Sequence, residues 1–369
     1  MSEYERIGHA IGIYEIHELI GQGGMATVYR GYDPNLERPV AIKILSDKAA
    51  TQPEFVERFH REARILGKLR HPNIVQVYML GQTDAYTYMV QELLPGPSLE
   101  RYLQEVSRRN EHISRQDLIS TISQIAHALD AAHQQGIIHR DVKPANIMWN
   151  AVGEVVLTDF GIAKQLHSDA NQTQANIVMG TPNYLSPEQA QGLPVTHYSD
   201  IYGLGIVLYQ MIAGRVPFNS DTPMGVVLQH IQSMPPSLRP FRPDIPPTVE
   251  AVVQRALAKN PKARFNSAGE MARVLKRAWP PVTTPNMTVV PTDVHNQTTT
   301  YWRRTDLETV PFASSAEQAT MGVSQATLLE NPMLTSPTAV QYPSRMLLLV
   351  LSVLVTLLLL GGVALAFGG

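Results

Sequence analysis

Not one of the 369 residues is cysteine. This excludes disulfides, zinc–thiolate sites and a thiol nucleophile, and it suits a reducing cytoplasm. A large charge of either sign is missing too: 30 basic residues face 32 acidic ones, for a formal net charge of −2. That balance argues against a nucleic-acid binder driven by bulk electrostatics, so no nucleic acid is expected as a partner. The opening Met1-Ser2-Glu3-Tyr4-Glu5-Arg6 lacks a basic start followed by an apolar run, so it does not read as a signal peptide. No internal repeat is visible.

What is present divides into three regions. Residues 10–279 alternate strand-like and helix-like patterns, as a folded domain should. Residues 280–345 hold thirteen Thr and eight Pro but only eight charged residues, without apolar periodicity. Such a stretch buries too little surface to offset its ordering entropy and reads as a disordered linker, with ends roughly 45 Å apart as a flexible coil. Residues 346–367 are 22 residues without a charge, mostly Leu and Val. A helix of that length covers roughly 33 Å, enough to cross a bilayer's hydrocarbon core, and it lacks the polar face of a buried globular helix. A single transmembrane helix is expected there. Only Gly368 and Gly369 follow, so nothing substantial is expected beyond the bilayer, and Arg345 places the N-terminal side in the cytoplasm.

Inside 10–279 the strand signals come first. Residues 13–16 alternate, Gly21-Gln22-Gly23-Gly24 turns, 27–30 returns, and 40–45 is a further strand. A helix is expected over 53–69, halted by His71-Pro72. Short strands follow at 74–80 and 87–93. Then helices take over: 113–135, 200–212, 223–232, 248–259 and 267–277. Strands first and helices after predict an α+β fold, with a small sheet-rich lobe on a larger helical one.

The chemistry is concentrated in His139-Arg140-Asp141-Val142-Lys143-Pro144-Ala145-Asn146, followed thirteen residues after Asn146 by Asp159-Phe160-Gly161. Two carboxylates, an amide and a lysine at that spacing suit phosphoryl transfer from a metal-bound nucleotide. Asp141 can take the proton of an attacking hydroxyl, Asp159 and Asn146 can hold magnesium, and Lys143 can neutralise the phosphate in flight. A lone Asp-Phe-Gly would mean little. Both segments, in this order and separation, resemble the catalytic loop and metal-binding turn of protein kinases. Lys143, two positions after Asp141, is similar to the Ser/Thr-specific members. His139 is expected to pack the loop and not to carry protons.

The resemblance implies an antiparallel small-lobe sheet with one helix beside it and a mainly helical large lobe. Gly21-x-Gly23-x-x-Ala26-x-Val28 resembles the glycine-rich loop over nucleotide phosphates, with Ala26 where a third glycine is usual and with Ile20, Gln22 and Gly24 included in the ATP site. Lys43 of Val40-Ala41-Ile42-Lys43 is implied to meet the α- and β-phosphates and to pair with a helix glutamate. Glu54, Glu57 and Glu62 are candidates, with Glu62 favoured in Arg61-Glu62-Ala63, nine residues before His71. Glu92 and Leu94 would meet the adenine edge through their backbone, Val28, Ala41 and Met148 would sandwich the ring, and Gln91 would guard the deeper pocket. Magnesium, or manganese in its place, is the implied metal.

The same resemblance makes the span from Asp159 to Glu188 an activation segment. Thr181 is implied to lie near Asp141 and Lys143, Glu188 to pair with Arg264, and Asp200 to anchor the catalytic loop. Arg140 marks kinases switched on by loop phosphorylation, with Thr173 and then Ser168 the best-placed acceptors. Taken together, the chain resembles bacterial eukaryotic-like (Hanks-type, PknB-like) transmembrane Ser/Thr protein kinases. Protein substrates bearing Ser or Thr follow, with the linker's Thr309, Thr320 and Thr327 as ligands for phosphothreonine-binding modules. A membrane partner follows as well, and a homodimer is left open. A pseudokinase scaffold and a small-molecule phosphotransferase of related fold are the rival readings. Since no extracellular sensor is seen, an external ligand is not expected.

Overall fold

The computed structural model of the chain describes residues 6–161 and 182–281. Strands β1 (Ala10–Ile11), β2 (Tyr14–Gln22), β3 (Ala26–Asp33), β4 (Arg38–Leu45), β5 (Val77–Gln82) and β6 (Thr87–Glu92) form one antiparallel sheet in the order β1-β2-β3-β4-β6-β5. Strand periodicity decides its two faces. Val40, Ile42 and Ile44 of β4 are fully buried in one cluster with Tyr29, Tyr88 and Val90. The alternating Ala41, Lys43 and Leu45 therefore point the other way. On that side lie α1 (Asp47–Ala50) and α2 (Pro53–Leu66), and Phe59 and Ala63 of α2 share a cluster with Leu45 and Met89.

The second lobe is helical: α3 (Leu99–Arg108), α4 (Arg115–Gln134), α5 (Pro187–Ala190), α6 (His197–Ala213), α7 (Pro223–Gln232), α8 (Pro247–Ala256) and α9 (Ala268–Ala278). A two-stranded ribbon, β7 (Ile147–Trp149) with β8 (Val155–Leu157), lies between α4 and the segment that leads to α5. Helix α6 is buried almost all round, from Ser199 to Tyr209, and α4 buries Leu118, Ile122, Ile125 and Leu129 against the same core. Asn73 ties the lobes: its side chain donates to the Val155 carbonyl at 2.7 Å, and its own carbonyl accepts from Leu157 at 2.9 Å.

The expected elements are present, with shifted ends. The helix predicted to reach 69 stops at Leu66, and Lys68 and Leu69 close it with tighter turns onto Ile65 and Leu66. The strand predicted over 74–80 starts only at Val77, because Asn73 and Val75 instead bond to Leu157 of the ribbon, with Ile74 paired opposite it. Helix α6 begins three residues before the predicted 200, and α8 ends three before 259. Unforeseen elements are β1, α1, α3, α5 and the ribbon. The predicted linker beyond 281 and the apolar span 346–367 lie outside the described residues. Among the described residues no helix is long and apolar enough to cross a membrane.

Candidate active site

Cross-strand register assembles the upper wall of a cleft. Val28 sits opposite Lys43 on β3 and β4, while Met89 and Gln91 of β6 sit opposite Lys43 and Ala41. Side chains paired in this way share a face, so Val28, Ala41, Lys43 and Gln91 look the same way, opposite to the Ile42 cluster. Lys43 Nζ donates to Glu62 Oε1 at 3.0 Å and to Asp159 Oδ1 at 2.7 Å. Glu62 is thus the partner: Glu54 lies exposed on Arg58 at 3.4 Å, and Glu57 is exposed and makes no ion pair among the described residues. Burial works against the Lys43 charge, but the carboxylates of Asp159 and Glu62 outweigh it and hold the ammonium above the usual lysine range. Lys43 in turn holds Asp159 below the carboxylate range, while desolvation pushes Glu62 up. Asp159 is therefore the firmer anion of the two, although its side chain is 51% exposed toward the cleft.

The lower wall is the loop 139–146. Asp200, 1% exposed at the start of α6, accepts the amides of His139 at 2.8 Å and Arg140 at 2.7 Å, and His133 Nε2 lies 2.7 Å away. Those bonds hold Arg140 at φ 67°, and Asp159 sits at φ 48°. Left-handed backbone at non-glycine residues costs about 1–3 kcal/mol each and persists only where the surroundings impose it. His139 Nδ1 lies 3.2 Å from the Asp141 amide, and its Nε2 lies 3.0 Å from the Thr158 carbonyl. That pairing assigns the ring proton to Nε2, and burial lowers the ring's pKa, so His139 is a neutral brace.

Asp141 Oδ2 is held by Lys143 Nζ at 2.9 Å and by Asn146 Nδ2 at 3.1 Å. The same Nδ2 reaches the Asp141 carbonyl at 2.9 Å and the Asp159 carbonyl at 3.4 Å. Among the described residues Asn146 Oδ1 makes no hydrogen bond, only Nδ2 being engaged. An amide oxygen and the Asp159 carboxylate are hard oxygen donors suited to magnesium, which takes one or two protein ligands and completes its shell with phosphates and water. Among the described residues no cluster of three or more His, Asp or Glu side chains competes for a metal.

Glycine at 21, 23 and 24 is demanded by nothing inside the protein. None of the three has a positive φ, and a Cβ would meet Val28 at 3.8 Å, the Ala26 carbonyl at 3.4 Å and, at 24, nothing within 4 Å. The bare backbone leaves room for another molecule. Ala26 takes the third-glycine position with its methyl buried in the Leu45–Phe59 cluster. Gln22 and Ile20 lie on the same hairpin, Glu92 ends β6, and Leu94 is 9% exposed just beyond it. Met148 on β7 bridges to Ser98.

Glu188 and Arg264 form a buried two-pronged pair at 2.8 and 2.9 Å, joined by the Ser199 hydroxyl at 2.5 Å. Gln189 Nε2 donates to the Arg140 carbonyl at 2.8 Å, so α5 is stitched to the catalytic loop. Desolvation and the Arg61 guanidinium both lower the pKa of half-buried Arg140, against the pull of Asp200. Among the described residues its guanidinium makes no ion pair. Ser168, Thr173 and Thr181 lie outside the described residues. Sequence reasoning missed His133, Gln189 and the packing role of Gly161, where a Cβ would come within 2.9 Å of Asp141 Cβ and 3.2 Å of the His139 carbonyl.

Residues 14–279 match the family model described as protein kinase domain. The chain is 42% identical over 268 residues to the serine/threonine-protein kinase PrkC of Bacillus subtilis, covering 73% of this chain and 41% of that one. It is 39% identical over 273 residues to the serine/threonine-protein kinase PknA of Mycobacterium tuberculosis, covering 72% and 62%. The chain thus spans less than two thirds of these curated relatives. Among solved structures, the PknI kinase domain of Mycobacterium tuberculosis superimposes with a TM-score of 0.59 at 29% identity, covering 73% of this chain and 98% of that one.

Proposed function

From the chain's membership in the protein kinase family, we propose that it transfers the γ-phosphate of Mg-ATP to Ser and Thr hydroxyls of proteins. The observation that carries this reading is the convergence of Lys43, Glu62 and Asp159 above and Asp141, Lys143 and Asn146 below one cleft. Asp141, fixed by Lys143 and Asn146, accepts the proton of the attacking hydroxyl. Lys143 stays beside the phosphate and offsets its developing charge. Lys43, oriented by Glu62, holds the nucleotide's phosphates, and the glycine loop covers them. Asp159 and Asn146 Oδ1 would hold magnesium or manganese, which supplies charge neutralisation across the phosphates. Ala41, Val28, Met148 and Leu94 offer apolar surface to the adenine.

Control belongs to Arg140. Its guanidinium, with Arg61 near enough to lower its pKa, suits a phosphate carried by Thr173 or Ser168 of the activation segment. The apolar stretch 346–367 anchors the enzyme in the cell membrane with the kinase domain in the cytoplasm. Phosphothreonines at 309, 320 and 327 would recruit phosphothreonine-binding modules.

Radiolabel transfer from ATP to a basic protein, followed by phosphoamino-acid analysis, tests the activity. Phosphoserine and phosphothreonine are expected, with a loss of about a hundred-fold or more in Asp141→Asn and nucleotide affinity retained. Equal labelling by the variant, or no labelling by protein that binds ATP, removes the proposal.

A further inference from the structure

Some cations on the helices and at their ends have carboxylate partners. Arg58 meets Glu54, Arg108 and Arg109 meet Glu105, and Arg255 meets Glu270. The outer face of α2 is different. Arg61, Arg64, Lys68 and Arg70 are all exposed. Among the described residues none of the four has an ion pair or a side-chain hydrogen bond, and Glu57, one turn before Arg61, forms none with it. Arg61, Arg64 and Lys68 follow helical spacing and fall on one side of α2 and the turn that continues it. Like charges one turn apart repel. Complementing the helix dipole explains Arg64 in the last turn. It does not explain Arg61 in mid-helix, nor Lys68 and Arg70 beyond the end.

We propose that Arg64, Lys68 and Arg70, continuing from Arg61, form a docking strip for an acidic protein segment. Charge complementarity selects the partner class: four cations within ten residues, unpaired among the described residues, attract an anionic chain and exclude a basic one. Arg61 and Arg64, three residues apart on α2, are about 4.5 Å apart along its axis, and Lys68 and Arg70 follow just beyond its end. Guanidinium and ammonium groups of this kind pair with the carboxylates of an acidic peptide segment. Glu62 leaves the same helix on the other side to reach Lys43. A segment seated on the outer face therefore bears on the element that orients the catalytic lysine. This consequence rests on the kinase reading; docking itself does not.

The probe is a fluorescent twelve-residue polyglutamate peptide titrated onto the full chain by anisotropy. Binding is expected to weaken as salt rises and to fall at least ten-fold in the variant Arg64→Gln/Lys68→Gln/Arg70→Gln, with unstimulated phosphate transfer unchanged. The charge-preserving Arg64→Lys/Arg70→Lys is expected to bind like the parent, which guards against misfolding of the triple variant. Equal binding by the triple variant, equal binding of polyglutamine, or capture by phosphatidylserine vesicles without peptide binding each overturns the proposal. Loss of phosphate transfer with intact peptide binding would count against the kinase reading alone.

Discussion

At the residue scale the Glu188–Arg264 pair shows how burial turns a salt bridge into a requirement. The Arg264 side chain is 0% exposed and that of Glu188 is 5%, so removing one partner strands a charge in the interior. Glu188→Gln is expected to lose about 3–5 kcal/mol of stability by urea denaturation, more than a volume-matched apolar replacement of both residues. Burial opposes the Glu188 charge, but hydrogen bonds and attraction from Arg264 win and depress its pKa. A depressed carboxylate contributes stability that is present above its unfolded value, about 4.3. That contribution is lost as pH falls through the lower folded value, so the parent loses this increment below about pH 4 and the variant does not. Gly161 is a second case. Gly161→Ala must push Asp141 or the His139 carbonyl aside, since the new methyl would lie 2.9 Å from Asp141 Cβ and 3.2 Å from that carbonyl oxygen, closer than van der Waals contact. A steady-state assay is expected to show kcat reduced about ten-fold or more, with much less effect on unfolding.

At the scale of elements, ends matter more than middles. Lys259 follows α8 and donates to the carbonyls of Gln229 at 3.3 Å and His230 at 2.7 Å, closing the C-terminal end of α7. Burial, then repulsion from Arg264, lowers its pKa to about 8. In the unfolded chain it titrates near about 10.4. Between those values the unfolded state binds more protons, so stability rises with pH from about 8 upward. Denaturation midpoints collected across that range should climb in the parent and stay flatter in Lys259→Met. Helix α3 shows why elements escaped detection. Pro95, Gly96 and Pro97 announce a loop, and only Leu99 and Leu103 are buried on α3. Its start is fixed by Ser98 accepting from the Arg101 amide at 3.2 Å, a local cap overshadowed by the prolines. The ribbon strands, three residues each, are too short for periodicity to register.

At the scale of the whole molecule, the matched family region ends at 279, where the chain is tied down. Arg115 Nε reaches the Trp279 carbonyl at 2.5 Å, and the Thr248 hydroxyl reaches that of Ala278 at 2.7 Å. A fragment of residues 1–281 is therefore expected to fold and to phosphorylate a soluble substrate about as fast as the full chain. Only the full chain should sediment with membranes on fractionation. Equal sedimentation of both would remove the anchoring role of 346–367.

The sequence by itself determined the chemistry. The order His139-Arg140-Asp141-x-Lys143-x-x-Asn146 then Asp159-Phe160-Gly161 specifies carboxylates, amide and ammonium whatever surrounds them, and the run 40–45 marked the strand that carries Lys43. Tertiary structure alone decided what meets what. It brought Lys43 within 2.7 Å of a carboxylate 116 positions away, seated Glu62, the glutamate the resemblance favours, on Lys43, and put Asp200 under the amides of His139 and Arg140. The reason is one of range. Periodicity reports how a residue sits relative to its own strand or helix, whereas the cleft is made by packing two separate hydrophobic cores against each other, and no local pattern encodes that meeting.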